Sequence, residues 1–412
     1  MDILTEVRRH FPTKPPLRLG VAVSGGGDSM ALMHILTRCF AEQDVKIFAA
    51  TDDHGLRAES AEEAAEVARV ASQLGVDHEI LQWRDWSGQG NLQGQARRAR
   101  YDLLTDWAKR NRIKILALGH TADDQAETVL MGLARASGVD GLAAMPVQRE
   151  RDGLTLLRPM LTLTRARLRD YLKENQLNWI DDPSNDDQRF ERVRVRQAMD
   201  VLEPLGLTVS ALVTVAENMA RAREALDQQA FISVGELAEP IAGAVVLDQE
   251  KLLILPDEIV HRLLTRALQW VSGAVYPLRR RVMAEALQTV RDSGSLTLGG
   301  CRIVCRKGQV WICREYNAVR DAISRPDDLW DNRWRLSGGE TKGIEVRALG
   351  KSGLQLCPDW REISYPRAML EATPALWNGP ELVAAPVAGF GNGWVADVAI
   401  SGEEFLASIL SH

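Results

Sequence analysis

A short segment at residues 24–29 combines glycines, hydroxyls and one carboxylate in a pattern that suits phosphate chemistry. It lies between an apolar run and a segment of helical spacing, so its N–H groups would lie at a helix N-terminus, where anions bind. A Walker A loop needs a lysine where Asp28 stands, so this is not an ordinary P-loop. A turn used only for packing is the alternative. The candidate phosphate-binding residues are Ser24, Gly25, Gly26, Gly27, Asp28 and Ser29, and the carboxylate suits Mg²⁺.

Three acidic residues lie within about two turns of a predicted helix that opens near residue 120. Asp123 and Glu127 are four residues apart and Asp124 and Glu127 three apart, so their carboxylates share one region of the helix surface. Such charges repel unless a cation lies among them, and the candidates are Mg²⁺, a substrate ammonium, Arg97 and Arg98. A solvated first turn is the alternative. The nearby phosphate loop favours a functional set.

Arg97 and His120 are the candidates for contact with phosphate. Arg97 lies in a basic predicted helix, and guanidinium groups neutralise phosphates well, although a solvated helix face would have the same composition. His120 follows a predicted strand closely, which favours a functional position over a buried, satisfied histidine.

The elements that must position these residues alternate between strand and helix through the first half of the chain. This alternation predicts an α/β fold with a doubly wound, mostly parallel sheet of Rossmann-like type. The phosphate loop and His120 each follow a strand, so we expect them at one edge of the sheet, where such folds bind ligands. The predicted strands span 17–23, 45–51, 77–83 and 114–118, and the predicted helices 30–43, 59–74 and 91–112.

The second half is predicted to form two smaller domains. An alanine-rich helix at 208–230 leads out of the first domain, and a linker is expected at 320–331. We therefore predict an N-terminal catalytic domain at 1–207, a helical or α+β middle domain at 208–322 and a small α+β C-terminal domain at 323–412. Between 259 and 313 the pattern predicts helices at 259–270 and 278–291 and strands at 296–298, 301–304 and 310–313.

Composition limits the class of protein. With 412 residues the chain is long enough for two or three domains. Five cysteines without a Cys-x-x-Cys pair argue against a disulfide framework or a metal cluster, and Cys301, Cys305 and Cys313 are expected to fill a small β core. No segment approaches the ~20 apolar residues of a membrane span, so we expect a cytoplasmic protein without membrane partners. A net charge of −6 still allows local nucleic-acid binding.

An ordered set of motifs occupies the segments 24–29, 54–57, 96–101, 119–128, 137–142, 157–161, 167–171 and 179–185. This set resembles the tRNA(Ile)-lysidine synthetase family, within the N-type ATP pyrophosphatases that share the Ser-Gly-Gly-x-Asp-Ser loop. The resemblance covers most of the chain up to residue 196 and resumes near 365–375. One departure is Val193, which follows Arg192 where the family tends to have asparagine.

The resemblance implies an adenine nucleotide alpha hydrolase-like fold and an ATP-dependent ligase. The enzyme would attach L-lysine to the wobble cytidine of an isoleucine tRNA with a CAU anticodon, through an adenylated cytidine. Residues 24–29 would bind ATP, and Asp28 would hold Mg²⁺. The implied catalytic residues are Asp28, Arg97, His120, Asp124 and Glu127, while Asp123, Asp124 and Glu127 are the candidates for lysine or metal.

Two basic segments are candidates for tRNA contact, although solvated helix faces are the commoner use of such charges. The first holds Arg192, Arg194 and Arg196, and the second is the run Arg279, Arg280 and Arg281. The run begins a predicted helix, where the dipole disfavours cations, so an external anion is expected there. The sequence leaves the oligomeric state open, with a homodimer as one candidate.

Two alternatives stay open at the level of the sequence. One is another enzyme of the same superfamily, a tRNA-modifying or an amidating enzyme. A thiolase would be expected to carry cysteines in the first half, where only Cys39 occurs. The other is a non-catalytic tRNA-binding protein with a retained nucleotide pocket.

Overall fold

The computed structural model describes residues 2–53, 60–83, 92–180, 189, 191–399 and 402–410. Within these ranges the side chains at 53, 60–62, 92–94 and 97 are outside the described part. The chain divides into two compact units, Met1–Arg223 and Glu224–His412.

The first unit is built on a six-stranded sheet with the order β3-β2-β1-β4-β6-β5. All neighbouring strands pair in parallel except β5, which pairs antiparallel with β6. The strands are β1 (Arg18–Ala22), β2 (Lys46–Asp53), β3 (Asp77–Gln82), β4 (Ile115–Leu118), β5 (Gln148–Arg151) and β6 (Leu154–Leu157).

Helices cover both faces of this sheet because its central strands are apolar on both sides. In β1, Leu19 and Val21 belong to the core of one face, while Ala22 belongs to the core of the other. The helices are α1 (Ile3–Arg8), α2 (Gly27–Cys39), α3 (Ser60–Gln73), α4 (Leu92–Arg110), α5 (Ala122–Ala134), α6 (Val139–Leu142), α7 (Arg165–Glu174), α8 (Glu191–Leu202) and α9 (Val209–Leu237), which continues into the second unit.

The switch point of the sheet lies between β1 and β4. The chain leaves β1 for β2 on one side and later returns to β4 on the other, with Val21 beside Ala117 and Ala22 beside Leu118. In such folds a crevice forms beyond the carboxyl ends of the strands at this point. The loops after β1 and β4, which carry the predicted site residues, therefore open into the same crevice.

The second unit contains mainly antiparallel sheets. Five strands pair in the order β7-β8-β11-β10-β9, and two smaller sheets pair β12 with β16 and order β13-β14-β15. The strands are β7 (Ala238–Ile241), β8 (Ala244–Asp248), β9 (Ser295–Leu298), β10 (Cys301–Arg306), β11 (Gln309–Arg314), β12 (Trp334–Ser337), β13 (Glu345–Ala348), β14 (Pro374–Asn378), β15 (Glu381–Ala384) and β16 (Val395–Val398). The helices are α10 (Gln249–Leu253), α11 (Asp257–Ser272), α12 (Arg280–Arg291), α13 (Tyr316–Val319), α14 (Gly350–Leu356), α15 (Arg367–Glu371) and α16 (Gly402–Ser408).

The structure confirms the predicted fold class and adds elements that the sequence pattern did not show. The β5–β6 and β7–β8 hairpins and α16 were not predicted, and the helix predicted at 208–230 extends to Leu237. The segment 320–331, predicted as a linker, is anchored by Trp330, which is fully buried and donates its indole N–H to the Ala322 carbonyl at 3.0 Å. The division at 207 and 322 stays a prediction.

Among the described residues, no single helix is both long and apolar enough to cross a membrane. The pair Glu191–Leu205 and Val209–Leu237, bent by 98°, meets those criteria only when its two helices are joined.

Candidate active site

The loop after β1 folds around its own hydroxyl groups. The Ser29 hydroxyl donates to the Gly26 carbonyl at 2.9 Å and accepts from the Ser24 N–H at 3.1 Å, and the two serine hydroxyls lie 3.3 Å apart. Gly26 is the N-cap of α2, which begins at Gly27. The first turn of any α-helix has N–H groups without a partner inside the helix, and this geometry suits the predicted anion site, which stays a prediction.

Two glycines shape this region: Gly25 is required for its backbone conformation and Gly119 for the space it leaves. Gly25 has φ +87°, a left-handed conformation that residues with a Cβ rarely adopt. Its carbonyl accepts from the Ile180 N–H at 3.0 Å, so the loop is attached to the segment after α7. At the end of β4, a Cβ on Gly119 would lie 3.1 Å from both Cα and N of Ser29. The end of β4 and the phosphate loop thus approach backbone to backbone.

The N-terminus of α5 is fixed by a capping box. The Asp124 carboxylate accepts through Oδ2 from the Thr121 N–H at 2.9 Å and from its hydroxyl at 3.0 Å. Burial acts to raise the Asp124 pKa, but the Arg165 guanidinium and the Thr121 N–H outweigh it, so the pKa is held below its ordinary value. Asp124 is therefore an ionised structural anchor of the helix that carries the acidic set.

Arg165 is the cation among the acidic residues. Its guanidinium donates to Asp124 Oδ1 at 2.6 Å, to Glu127 Oε1 at 2.8 Å and to Asp28 Oδ2 at 3.2 Å. Its backbone N–H donates to Asp123 Oδ2 at 2.8 Å. One residue at the start of α7 thus joins the acids of α5 to the carboxylate of the phosphate loop.

Glu127 is 98% buried, and only one of its two carboxylate oxygens accepts hydrogen bonds from the described residues. Oε1 accepts from Arg165 and also from Arg196 Nε at 3.0 Å. Oε2 has no hydrogen-bond partner in the part of the chain that the structure describes. Because a buried carboxylate oxygen without a donor is costly, this position suits a cationic or N–H-donating ligand.

The Asp28 side chain is largely buried, and burial raises its pKa to about 6, against the opposing effect of Arg165. Mg²⁺ takes carboxylate oxygens and keeps phosphate oxygens and waters as its other ligands, so Asp28 fits as one ligand of a nucleotide-bound ion. Among the described residues, no group of three or more His, Cys, Asp and Glu side chains is arranged to hold a metal. The phosphates would have to complete the coordination.

His120 is neutral in this site. Burial, together with the positive charge of Arg158, lowers its pKa to about 4, and its Nδ1 is buried without a partner among the described residues. It therefore offers hydrogen bonds rather than charge to a phosphate. Arg192 and Arg100 also lie close enough to depress this pKa. The positive charge near His120 therefore comes from these guanidinium groups and not from the imidazole.

The other predicted residues fall in several places. The Arg97 side chain is outside the described part. Arg194 donates to the Arg189 carbonyl at 3.2 Å. In the run at 279–281, Arg279 is the N-cap of α12, and Arg280 is paired with Glu258 at 3.1 Å. For Arg280, the nearby anion that the sequence predicts is therefore Glu258 of the chain itself.

Sequence reasoning missed Arg165 and Arg158 as members of the site. Arg158 is buried and donates to the Pro146 carbonyl at 2.9 Å. The sequence alone does not single out Arg165, which is one of four basic residues between 165 and 173. Its signal was available, because it follows the N-cap Thr164 and so occupies a helix N-terminus, where a cation needs nearby anions.

Comparisons with known proteins place these features in a wider context. The PP-loop domain family matches residues 2–202. The tRNA(Ile)-lysidine synthase of Ruegeria pomeroyi is 52% identical over 411 residues, covering 100% of this chain and 98% of that protein. The enzyme of the same name from Wolbachia pipientis wMel is 33% identical over 80% of this chain and 79% of its own length. Among solved structures, the U34-tRNA thiolase NcsA from Methanococcus maripaludis is 17% identical with a TM-score of 0.47, covering 53% of this chain and 78% of that one.

Proposed function

The chain belongs to the tRNA(Ile)-lysidine synthase family, and we propose that it attaches L-lysine to the wobble cytidine of an isoleucine tRNA with a CAU anticodon. As a member of this PP-loop family it is an ATP-dependent ligase that acts in tRNA modification. The observation that carries the proposal is the 52% identity over the whole chain. The site geometry supports it, because the phosphate loop and the acidic set meet through Arg165.

In the first step the cytidine carbonyl oxygen bonds to the α-phosphorus of ATP as the bond to pyrophosphate breaks. The N–H groups at the start of α2 and the hydroxyls of Ser24 and Ser29 bind the phosphates. The neutral His120 donates a hydrogen bond to them, and Arg97 supplies charge. Asp28 would hold Mg²⁺, which would supply positive charge to neutralise the phosphate oxygens.

In the second step the ε-amine of lysine bonds to the base carbon and AMP leaves. An ammonium of pKa ~10.4 must be oriented and lose a proton before it attacks. Asp124 has both oxygens occupied, by Thr121 and by Arg165. Glu127 Oε2 is without a partner among the described residues, so we assign it as the acceptor for the ammonium. Asp123, held by the Arg165 N–H, takes a supporting place.

Recognition of the tRNA must extend beyond the wobble base. A methionine tRNA presents the same CAU anticodon, so discrimination requires contacts elsewhere on the molecule. The target cytidine has to leave its stack to reach the site, which costs little in an anticodon loop. The exposed Arg279 and Arg281 of the second unit are the proposed backbone contacts, together with Arg192 and Arg194 of the first. That the chain forms a homodimer stays a prediction, and sedimentation velocity would measure its oligomeric state.

The test is incorporation of radiolabelled lysine. The purified full chain is incubated with lysine, ATP, Mg²⁺ and the isoleucine tRNA, and label in the tRNA is counted. We expect incorporation that requires ATP and is absent with a methionine tRNA of the same anticodon. A matched Asp28→Asn variant should lose most of it. Folded protein that binds the tRNA but incorporates no lysine and releases no AMP would refute the proposal.

A further inference from the structure

Arg165 occupies a position that the helix itself disfavours. It is the first residue of α7, directly after the N-cap Thr164, whose hydroxyl accepts from the Arg167 N–H at 3.3 Å. A cation at a helix N-terminus is repelled by the macrodipole and needs anions nearby. The carboxylates of Asp28, Asp124 and Glu127 supply them. The position is therefore explained by the acidic set and not by the helix.

The backbone around Arg165 is attached to the helix that carries the acids. Thr121 and Met160 form a parallel bridge, and the Ala122 N–H donates to the Leu163 carbonyl at 2.9 Å. The Arg165 N–H then reaches Asp123. Because this chain segment runs beside the start of α5, the guanidinium is directed at the α5 acids before any ligand binds.

The base of α7 is also fixed relative to the phosphate loop. The His34 ring of α2 and the Tyr171 hydroxyl of α7 form a buried hydrogen bond of 2.8 Å. His34 lies six residues after Asp28, and Tyr171 six residues after Arg165. The helices that carry the two charged residues in their first turns are thus joined six residues further along each helix.

The fork geometry of arginine is what this position uses. Three different nitrogens of one planar group contact three carboxylates, and the contacts to Asp124 and Glu127 are shorter than the contact to Asp28. A lysine ammonium is a single point charge and cannot reproduce this fork. Arg165 therefore constrains the α5 acids more strongly than it constrains the phosphate loop.

We infer that Arg165 is a positioning residue for the second step: a resident counter-ion that holds Asp124 and Glu127 in place, so that the amine substrate can bind at Glu127 Oε2, the buried oxygen without a partner among the described residues. This inference rests on the proposed function of the site. Arg165 does not touch the reacting atoms. It acts by preventing the two carboxylates from repelling each other and turning outwards.

The test separates lysine binding from ATP binding. In Arg165→Gln we expect KM for lysine to rise roughly ten- to hundredfold, the range for lost hydrogen bonds to charged groups, with KM for ATP within about threefold. Arg165→Lys should fall between, because it keeps the charge and loses the fork. Arg165→Ala should regain part of its lysine incorporation when ethylguanidinium is added, a rescue that a merely structural role would not give.

Lys173→Gln is the matched control, because Lys173 is exposed on the same helix and pairs only loosely, at 4.0 Å, with Asp170. It should leave both KM values unchanged. Should Arg165→Gln unfold, the Arg165→Lys variant and its KM for lysine decide. A wild-type KM for lysine in Arg165→Gln or in Arg165→Lys, equal loss of ATP and lysine binding, or no rescue by ethylguanidinium would overturn the inference. Absence of incorporation by the wild-type chain would instead refute the proposed function.

Discussion

Gly119→Ala should damage ATP binding, although residue 119 bears no side chain that could contact a nucleotide. The added Cβ would lie 3.1 Å from Cα and N of Ser29 and 3.3 Å from the carbonyl carbon of Asp28. These are backbone atoms at the start of α2, so no rotamer change can relieve the contact. Either the end of β4 or the phosphate loop must move by a few tenths of an ångström.

The cost follows from overpacking a tight contact. Inserting a methyl group into a well-packed position costs about 1–3 kcal/mol. If this cost destabilises the folded state, the melting temperature should fall by about 2–10 °C for a unit of this size. If the loop shifts instead, its N–H groups move away from the phosphates and Asp28 moves relative to Arg165. In that case KM for ATP should rise roughly ten- to hundredfold, by the conversion of 1.4 kcal/mol per tenfold.

The assay is pyrophosphate release at varied ATP, together with a thermal melt of each variant. Gly235→Ala is the control, because a Cβ there would meet nothing within 4 Å and the residue lies inside α9. That change should stabilise the chain by about 0.5–1 kcal/mol and leave KM for ATP unaltered. A Gly119→Ala variant with wild-type melting temperature and wild-type KM for ATP would contradict this reasoning, because it would show that the contact between the end of β4 and the loop accommodates a methyl group.

Three further substitutions test other parts of the structure. The His120 pKa is about 4 in the folded protein and near its ordinary 6.5 when unfolded. The unfolded chain therefore takes up this proton first, so the His120 contribution to the free energy of unfolding should fall by up to about 3 kcal/mol between pH 6.5 and pH 4, against an opposite contribution from Asp28, whose pKa is raised to about 6. The difference between the wild-type chain and His120→Gln in urea titrations should show this fall. Tyr171→Phe leaves the buried His34 Nδ1 without its partner and should lower the free energy of unfolding by about 1–3 kcal/mol in the same titrations. An unchanged free energy of unfolding would contradict this and indicate that water replaces the hydroxyl. Phe405→Ala removes a fully buried ring beside Trp270 and should cost about 3–5 kcal/mol; a melt that leaves the second unit intact would contradict the packing of α16.

The fold of the first unit could be predicted because its signals are local. Apolar runs such as β1 and helical spacing such as that of α2 each depend on a few neighbouring residues. The β5–β6 hairpin was missed because β5 is the polar segment Gln148–Arg151, an edge strand that shows no apolar alternation. Trp330 lies in a segment of Pro and Asp, whose composition indicates a linker, while its burial depends on residues far along the chain.

The candidate site could be predicted only in part for the same reason. The phosphate loop and the three acids of α5 are defined by spacing within a single segment. The need for a cation among those acids was also evident, but its identity was not, because Arg165 lies 38 residues after Glu127 and reaches it only through the pairing of the segment around 160–163 with the start of α5.

Two arginines at helix N-termini, Arg165 and Arg280, share one sequence signal but differ in their surroundings. Arg165 and Arg280 each begin a helix, and the macrodipole disfavours both, so each position predicts a nearby anion. For both, that anion belongs to the chain itself. They differ in exposure: the Arg165 side chain is 19% exposed and shared among three carboxylates, whereas that of Arg280 is 62% exposed and pairs, within the described part of the chain, with Glu258. An exposed pair is worth little and exchanges readily for a phosphate, while a buried fork does not. The same sequence signal therefore marks an internal structural cation at Arg165 and an exposed ion pair at Arg280, where contact with tRNA stays a prediction.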